Sequence, residues 1–169
     1  IELLGIDIAV LMFINKSLAN PVLDALMTFT QSFTYVFWIS LILFLAFRKK
    51  REIVILMIIT AIISLGVSSI LKTEISRERP YQVLDVRQLV PDEDNTSFPS
   101  NHVLLSTALS TIVFAYYRKY GSALFVLSGI IALGRVYLGV HYPSDALGGV
   151  IIGVAIAVLV LYANKSSRS

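Results

Sequence analysis

"IVILMIITAIISLGVSSIL", residues 53–71, runs directly into "KTEISRERP", residues 72–80. The first stretch holds no charged residue and approaches the roughly 20 apolar residues an α-helix needs to cross a bilayer core. The second crowds Lys, Glu and Arg against a proline. The chain is therefore expected to cross a membrane here and to place fixed charges where it emerges. The composition agrees: of 169 residues, 56% are hydrophobic and 15% charged, with a mean hydropathy of +0.78. That is too apolar for an ordinary soluble domain, and the polar residues are clustered rather than spread.

Working outward, the pattern predicts further spans at 22–47, from 97–102 to "YYRKYG", at 122–139 and at 146–163. Residues 1–19 are apolar but carry Glu2, Asp7, Asn15 and Lys16, so they are read as an interfacial amphipathic helix rather than a span. The expected fold is an all-α polytopic membrane helical bundle, with about five transmembrane helices and that N-terminal helix, forming one domain over 1–169. Residues 1–19 lack the basic start and small-residue cleavage site of a signal peptide, so none is expected. The absence of cysteine rules out disulfides and thiolate metal ligands. No basic stripe marks a nucleic-acid partner. The turns "RKKRE" and "YRKYG" and the tail "NKSSRS" fall on one side, which the positive-inside rule makes cytoplasmic. A plasma-membrane location with the opposite side facing outward is expected.

That opposite side collects three motifs. In "KTEISRERP", helical spacing would put Lys72, Ser76 and Arg79 on one face, with Arg77 and Glu78 pointing elsewhere. Alone, this equally describes a snorkelling basic anchor. In "SFPSNH", residues 97–102, Ser97 or Ser100 could cap a helix whose free N–H groups suit an anion, with His102 one turn inside. In "GRVYLGVHYPSD", Arg135 sits late in an apolar span, and Asp145 lies four residues beyond His141. A carboxylate so placed can hold one imidazole nitrogen and free the other as nucleophile or base; the plainer alternative is an interfacial histidine beside a helix-start acid. Together, however, both histidines of the chain, Lys72, Arg79, Arg135 and Asp145 converge on one membrane face from the ends of four spans. Three cations, two imidazoles and a carboxylate suit phosphoryl transfer, and the cations oppose a metal ion.

These motifs resemble those of the type 2 phosphatidic acid phosphatase (PAP2) superfamily. The family's Lys, six residues, Arg-Pro falls on Lys72 and Arg79-Pro80. Pro-Ser-Gly-His falls on Pro99-Ser100-Asn101-His102, and Ser-Arg with its later His and Asp falls on Gly134-Arg135, His141 and Asp145. Asn101 and Gly134 are departures. The resemblance implies His141 as nucleophile forming a phosphohistidine, Asp145 orienting it, and His102 as acid and then base. It implies Lys72, Arg79, Arg135, Ser100 and the backbone at Asn101 as phosphate ligands, and no metal or other cofactor. The "SFPSNH" box and "GVHYPSDALGG" are further similar to undecaprenyl-diphosphate phosphatases of the bacitracin-resistance type. The implied partners are the bilayer and a lipid phosphate or diphosphate. Phosphatidylglycerophosphate and phosphatidate are alternative substrates, and a non-catalytic lipid-phosphate binding or transport protein is the alternative of another class. The loop 81–96 is the candidate substrate gate.

Overall fold

The computed structural model describes residues 2–91 and 96–167. Its elements are α1 (Glu2–Met12), running into a widened π turn (Phe13–Ser17), α2 (Pro21–Phe47), α3 (Arg51–Ile75), a short α4 (Pro80–Val83), α5 (Asn101–Tyr116), α6 (Arg118–Tyr137) and α7 (Pro143–Ser166). Asn20 caps α2, its side chain accepting from the N–H groups of Val22 and Leu23, and Pro21 occupies the first turn, where no N–H is needed. Four helices, α2, α3, α6 and α7, are long and apolar enough to cross a membrane. At 16 residues α5 is shorter, about 24 Å at 1.5 Å per residue. It can afford this because it is the central helix: Val103 to Val113 are buried by neighbours instead of lipid.

Lipid is as apolar as leucine, so close packing and internal polar contacts must hold such a bundle together. Both are present around α5. Trp38 Nε1–H of α2 donates to Ser106 Oγ at 2.9 Å, and the hydroxyls of Ser110 and Ser128 meet at 3.0 Å. On the other side α7 approaches closely through Gly149 and Gly153, spaced four apart. A Cβ at Gly153 would lie 2.5 Å from the Leu104 carbonyl oxygen, a contact real side chains do not make.

The N-terminal helix forms as expected, but its polar stripe faces the protein. Asp7, Leu11 and Asn15 are buried, whereas Leu4, Ile6, Val10 and Phe13 are exposed. Asn15, inside the π turn, explains the inversion. Its amide donates to the carbonyls of Arg87 (2.9 Å) and Tyr137 (2.8 Å) and accepts from the Arg87 N–H (2.8 Å). One side chain thus clamps the α4–α5 connection to the end of α6.

Candidate active site

All three motifs meet at one end of the bundle, around a cavity of about 430 Å³. Its wall combines Lys72, Arg79, Asn101, His102, Arg135 and His141 with Gln31, Ser32 and Tyr35 of α2 and with Pro91. No carboxylate lines it among the described residues. The three cations are nearly sealed from solvent: Lys72 is 7% exposed, Arg79 2% and Arg135 3%. Buried charge is expensive unless partnered, and neutral oxygens are among the partners here. Lys72 Nζ donates to the Thr96 carbonyl at 2.7 Å, Arg79 to the Val140 carbonyl at 2.9 Å, and Arg135 to the Gln31 side-chain oxygen. Three cations on a wall with no carboxylate among its described residues favour an anion in the cavity.

The way Arg79 arrives differs from the helical expectation. Ser76 takes a left-handed conformation (φ 45°) and terminates α3, so Lys72, Ser76 and Arg79 do not share a helix face. Ser76 is exposed, and Arg79 enters on an extended segment just before Pro80. Gln82 fixes the turn by accepting the Arg79 N–H at 2.8 Å.

Arg79 also determines the state of His141. Its NH1 lies 3.3 Å from His141 Nε2. A guanidinium can only donate, so Nε2 must be the acceptor and the neutral ring carries its proton on Nδ1. Nδ1 points toward Asp145 Oδ2 at 3.6 Å, longer than a formed hydrogen bond. Burial holds His141 well below the usual imidazole range, and the charges of Arg135, Arg79 and Lys72 push the same way. The result is a neutral imidazole whose lone pair faces a cationic cavity.

Asp145, fully buried, is held from several sides. Its Oδ2 accepts from the Tyr142 N–H at 2.8 Å and from the Ser97 hydroxyl, and its Oδ1 accepts from Arg77 NH1 at 2.6 Å. Arg77 therefore does not point away from the site, as helical spacing had suggested; the break at Ser76 turns it inward. Its NH2 donates to Asp7 at 2.8 Å, and the guanidinium stacks 3.8 Å from the Tyr142 ring centre.

The "SFPSNH" box divides its labour differently from the expectation. Ser100 is the N-cap residue of α5, but its hydroxyl makes no cap bond, lies buried without a hydrogen-bond partner and is not part of the cavity wall. Ser97 serves Asp145. Asn101 needs no unusual backbone angle, because it is already the first helical residue; its side chain accepts from the Ser68 hydroxyl beside the cavity. His102 packs against Tyr35 with ring centres 4.5 Å apart and the rings tilted by 49°, its Nδ1 3.5 Å from the phenol oxygen. Gly134, the other departure, faces Thr30 and Met27 of α2, away from the cavity. Of the candidate gate, 92–95 lies outside the described residues.

The fold and site define a polytopic helical membrane protein with a cation-lined, two-histidine cavity at one end of its bundle. Residues 52–168 match the PAP2 superfamily, and the chain belongs to that family. It is 28% identical to the bacitracin transport permease protein BcrC of Bacillus licheniformis, over 86% of this chain and 72% of the relative. It is also 28% identical to the undecaprenyl-diphosphatase BcrC of Bacillus subtilis (strain 168), over 83% of this chain and 74% of that one. The crystal structure of LpxE from Aquifex aeolicus superimposes with a TM-score of 0.83 at 28% identity, covering 92% of this chain and 94% of the other.

Proposed function

We propose that this protein is a membrane lipid phosphatase that hydrolyses a polyprenyl diphosphate to the monophosphate and inorganic phosphate through a phosphohistidine at His141. The observation that carries this is the His141 geometry: a neutral ring with its Nε2 lone pair on a cationic cavity and its Nδ1–H toward a buried carboxylate. The undecaprenyl-diphosphatase among its relatives supports the choice of substrate.

In this mechanism Arg79 NH1 passes from His141 Nε2 to a phosphoryl oxygen of the bound substrate, and Nε2 attacks the terminal phosphorus in line. The bond from that phosphorus to the bridging oxygen breaks, and the bridging oxygen takes a proton from His102, which enters this step as the imidazolium beside the bound anion. Asp145 stabilises the positive charge that His141 acquires. Neutral His102 then removes a proton from water, whose oxygen attacks phosphorus. The N–P bond breaks, releasing phosphate and restoring both histidines. Lys72, Arg79 and Arg135 balance the phosphoryl charge, with the Asn101 amide at the edge of the site; no metal ion takes part. Ser100 acts through the backbone at the α5 start, its hydroxyl being turned from the cavity.

Purified protein in detergent, treated with EDTA, should release phosphate fastest from a polyprenyl diphosphate when that substrate is compared with phosphatidylglycerophosphate and phosphatidate. Faster release from either phospholipid would reassign the substrate. Phosphate release lost on chelation and restored by a divalent cation would contradict the metal-free mechanism.

A transport permease among the relatives favours a second reading, in which the pocket binds lipid phosphate without hydrolysing it. No phosphate release from any of the three lipids, with binding retained, would favour that alternative.

The cavity is proposed to open on the extracytoplasmic side of the plasma membrane. With no native cysteine, a single one at Asp85, 98% exposed and near the site, can be compared with one at Lys49 in the opposite turn. An impermeant thiol reagent should label only Cys-substituted Asp85 in intact cells; labelling only at position 49 would invert the orientation.

A further inference from the structure

We propose that Asp7 and Arg77 form a charge-balancing pair that positions Asp145 and lets its negative charge act on His141. This rests on His141 being the nucleophile. Asp7 comes from α1, Arg77 from the α3–α4 link and Asp145 from the first turn of α7. Arg77 bridges the two acids, with NH1 on Asp145 Oδ1 at 2.6 Å and NH2 on Asp7 Oδ2 at 2.8 Å. Asp7 Oδ1 accepts the Ser144 N–H at 2.8 Å, tying α1 to the start of α7.

The charges around His141 explain why a second acid is needed. Arg79, Arg135 and Lys72 face it from three elements, and His102 faces it from α5. Among the described residues Asp145 is the carboxylate that reaches its ring, 3.6 Å from Nδ1, and Arg77 sits directly on that anion. Alone, Arg77 would cancel most of the field Asp145 exerts on the imidazole. When His141 is phosphorylated its ring becomes cationic, and an Asp145 masked by Arg77 would stabilise that charge less. Asp7 neutralises Arg77, so the pair holds Asp145 in place while its charge remains effective. Glu78 also contributes negative charge at this end, near Tyr142, while Arg77 bonds to Asp7, Asp145 and Ser144.

A staple that merely fastens α1 would have no electrostatic signature, and this provides the test. Asp7→Asn keeps an acceptor for the Ser144 N–H and removes the charge. Arg77→Gln removes the cation that Asp7 offsets. Steady-state kinetics across pH, with one soluble short-chain diphosphate substrate, would be measured for wild type, both single variants, the double variant and His141→Ala. Asp7→Asn should lower kcat about tenfold, the effect of one pKa unit of lost charge stabilisation, with KM nearly unchanged. It should also move the acidic limb of kcat/KM to lower pH, because His141 then sits among more positive charge. Arg77→Gln should move that limb the other way, and the double variant should return it toward wild type.

Limbs that do not move, or that move the same way in both single variants, would overturn the proposal, as would wild-type kinetics in Asp7→Asn. Should Asp7→Asn fail to fold, the upward movement in Arg77→Gln remains required. His141→Ala separates the two levels. If it stays active, the nucleophile assignment fails whatever Asp7 does. If it is inactive while Asp7→Asn behaves as wild type, only the charge-balancing role fails.

Discussion

His141→Ala should reduce phosphate release by about 10⁴-fold or more, the scale on which nucleophilic catalysis is lost when the attacking group is deleted. Folding should survive. Among the described residues the ring makes no hydrogen bond besides the contact of Nε2 with Arg79, and its Nδ1 is without a formed one. Removing it leaves Arg79 on the Val140 carbonyl and Asp145 on Arg77, Ser97 and the Tyr142 N–H. The variant should keep its helical circular dichroism and still bind orthovanadate, because the three cations remain. Phosphate release within tenfold of wild type would remove His141 from the mechanism. Loss of vanadate binding together with helical signal would show that the substitution had unfolded the site.

The second large effect belongs to His102. Its replacement by alanine should lower kcat on a lipid diphosphate by about 10²- to 10⁴-fold, the usual contribution of a positioned general acid–base. The loss should depend on the leaving group. A substrate such as p-nitrophenyl phosphate expels an oxygen that needs no proton, so the first step should largely recover in His102→Ala. Hydrolysis of the phosphoenzyme still lacks its base, and a rapid burst of nitrophenol followed by slow turnover is expected. Equal impairment on both substrates, without a burst, would show that His102 acts on binding alone. Tyr35, packed against the ring with its hydroxyl 3.5 Å from Nδ1, fixes which edge of His102 faces the cavity.

Much of this site was legible in the sequence, and the limits have physical causes. The spans could be found because uninterrupted apolar runs are a membrane's main demand on a helix. Lys72, Arg79, His102, Arg135, His141 and Asp145 stood out because ionisable groups at the ends of apolar helices are costly without a purpose. The breaks in regular structure were hidden. Nothing in "KTEISRERP" announces that Ser76 adopts a left-handed conformation, yet that one residue ends α3 and turns both Arg77 and Arg79 toward the centre. The α2 contribution was missed for another reason. Gln31, Ser32 and Tyr35 lie within an apolar span and match no motif, and only the packing of α2 across the cavity gives them meaning.

Partners far apart in the chain were equally invisible. Asp7 and Arg77 stand 70 residues apart, and Asn15 and Tyr137 stand 122 apart. In residues 1–19 the scattered polar residues suggested a helix lying with its polar face in water. Each of the buried ones instead satisfies a specific group in the protein. A usable signal was the spacing of Asp7, Leu11 and Asn15, every fourth residue, which marks one buried stripe on a helix otherwise apolar.

The central claim is that the phosphoryl group passes through His141. Protein mixed with a substrate carrying ³²P in its terminal phosphate, quenched in alkaline denaturant within the first turnover, tests it directly. The account predicts label bound to protein, stable to alkali and released by acid, mapping to the peptide that contains His141 and absent from His141→Ala. Turnover without bound label in a quench fast enough to catch the first step, or label on any other residue, would contradict it.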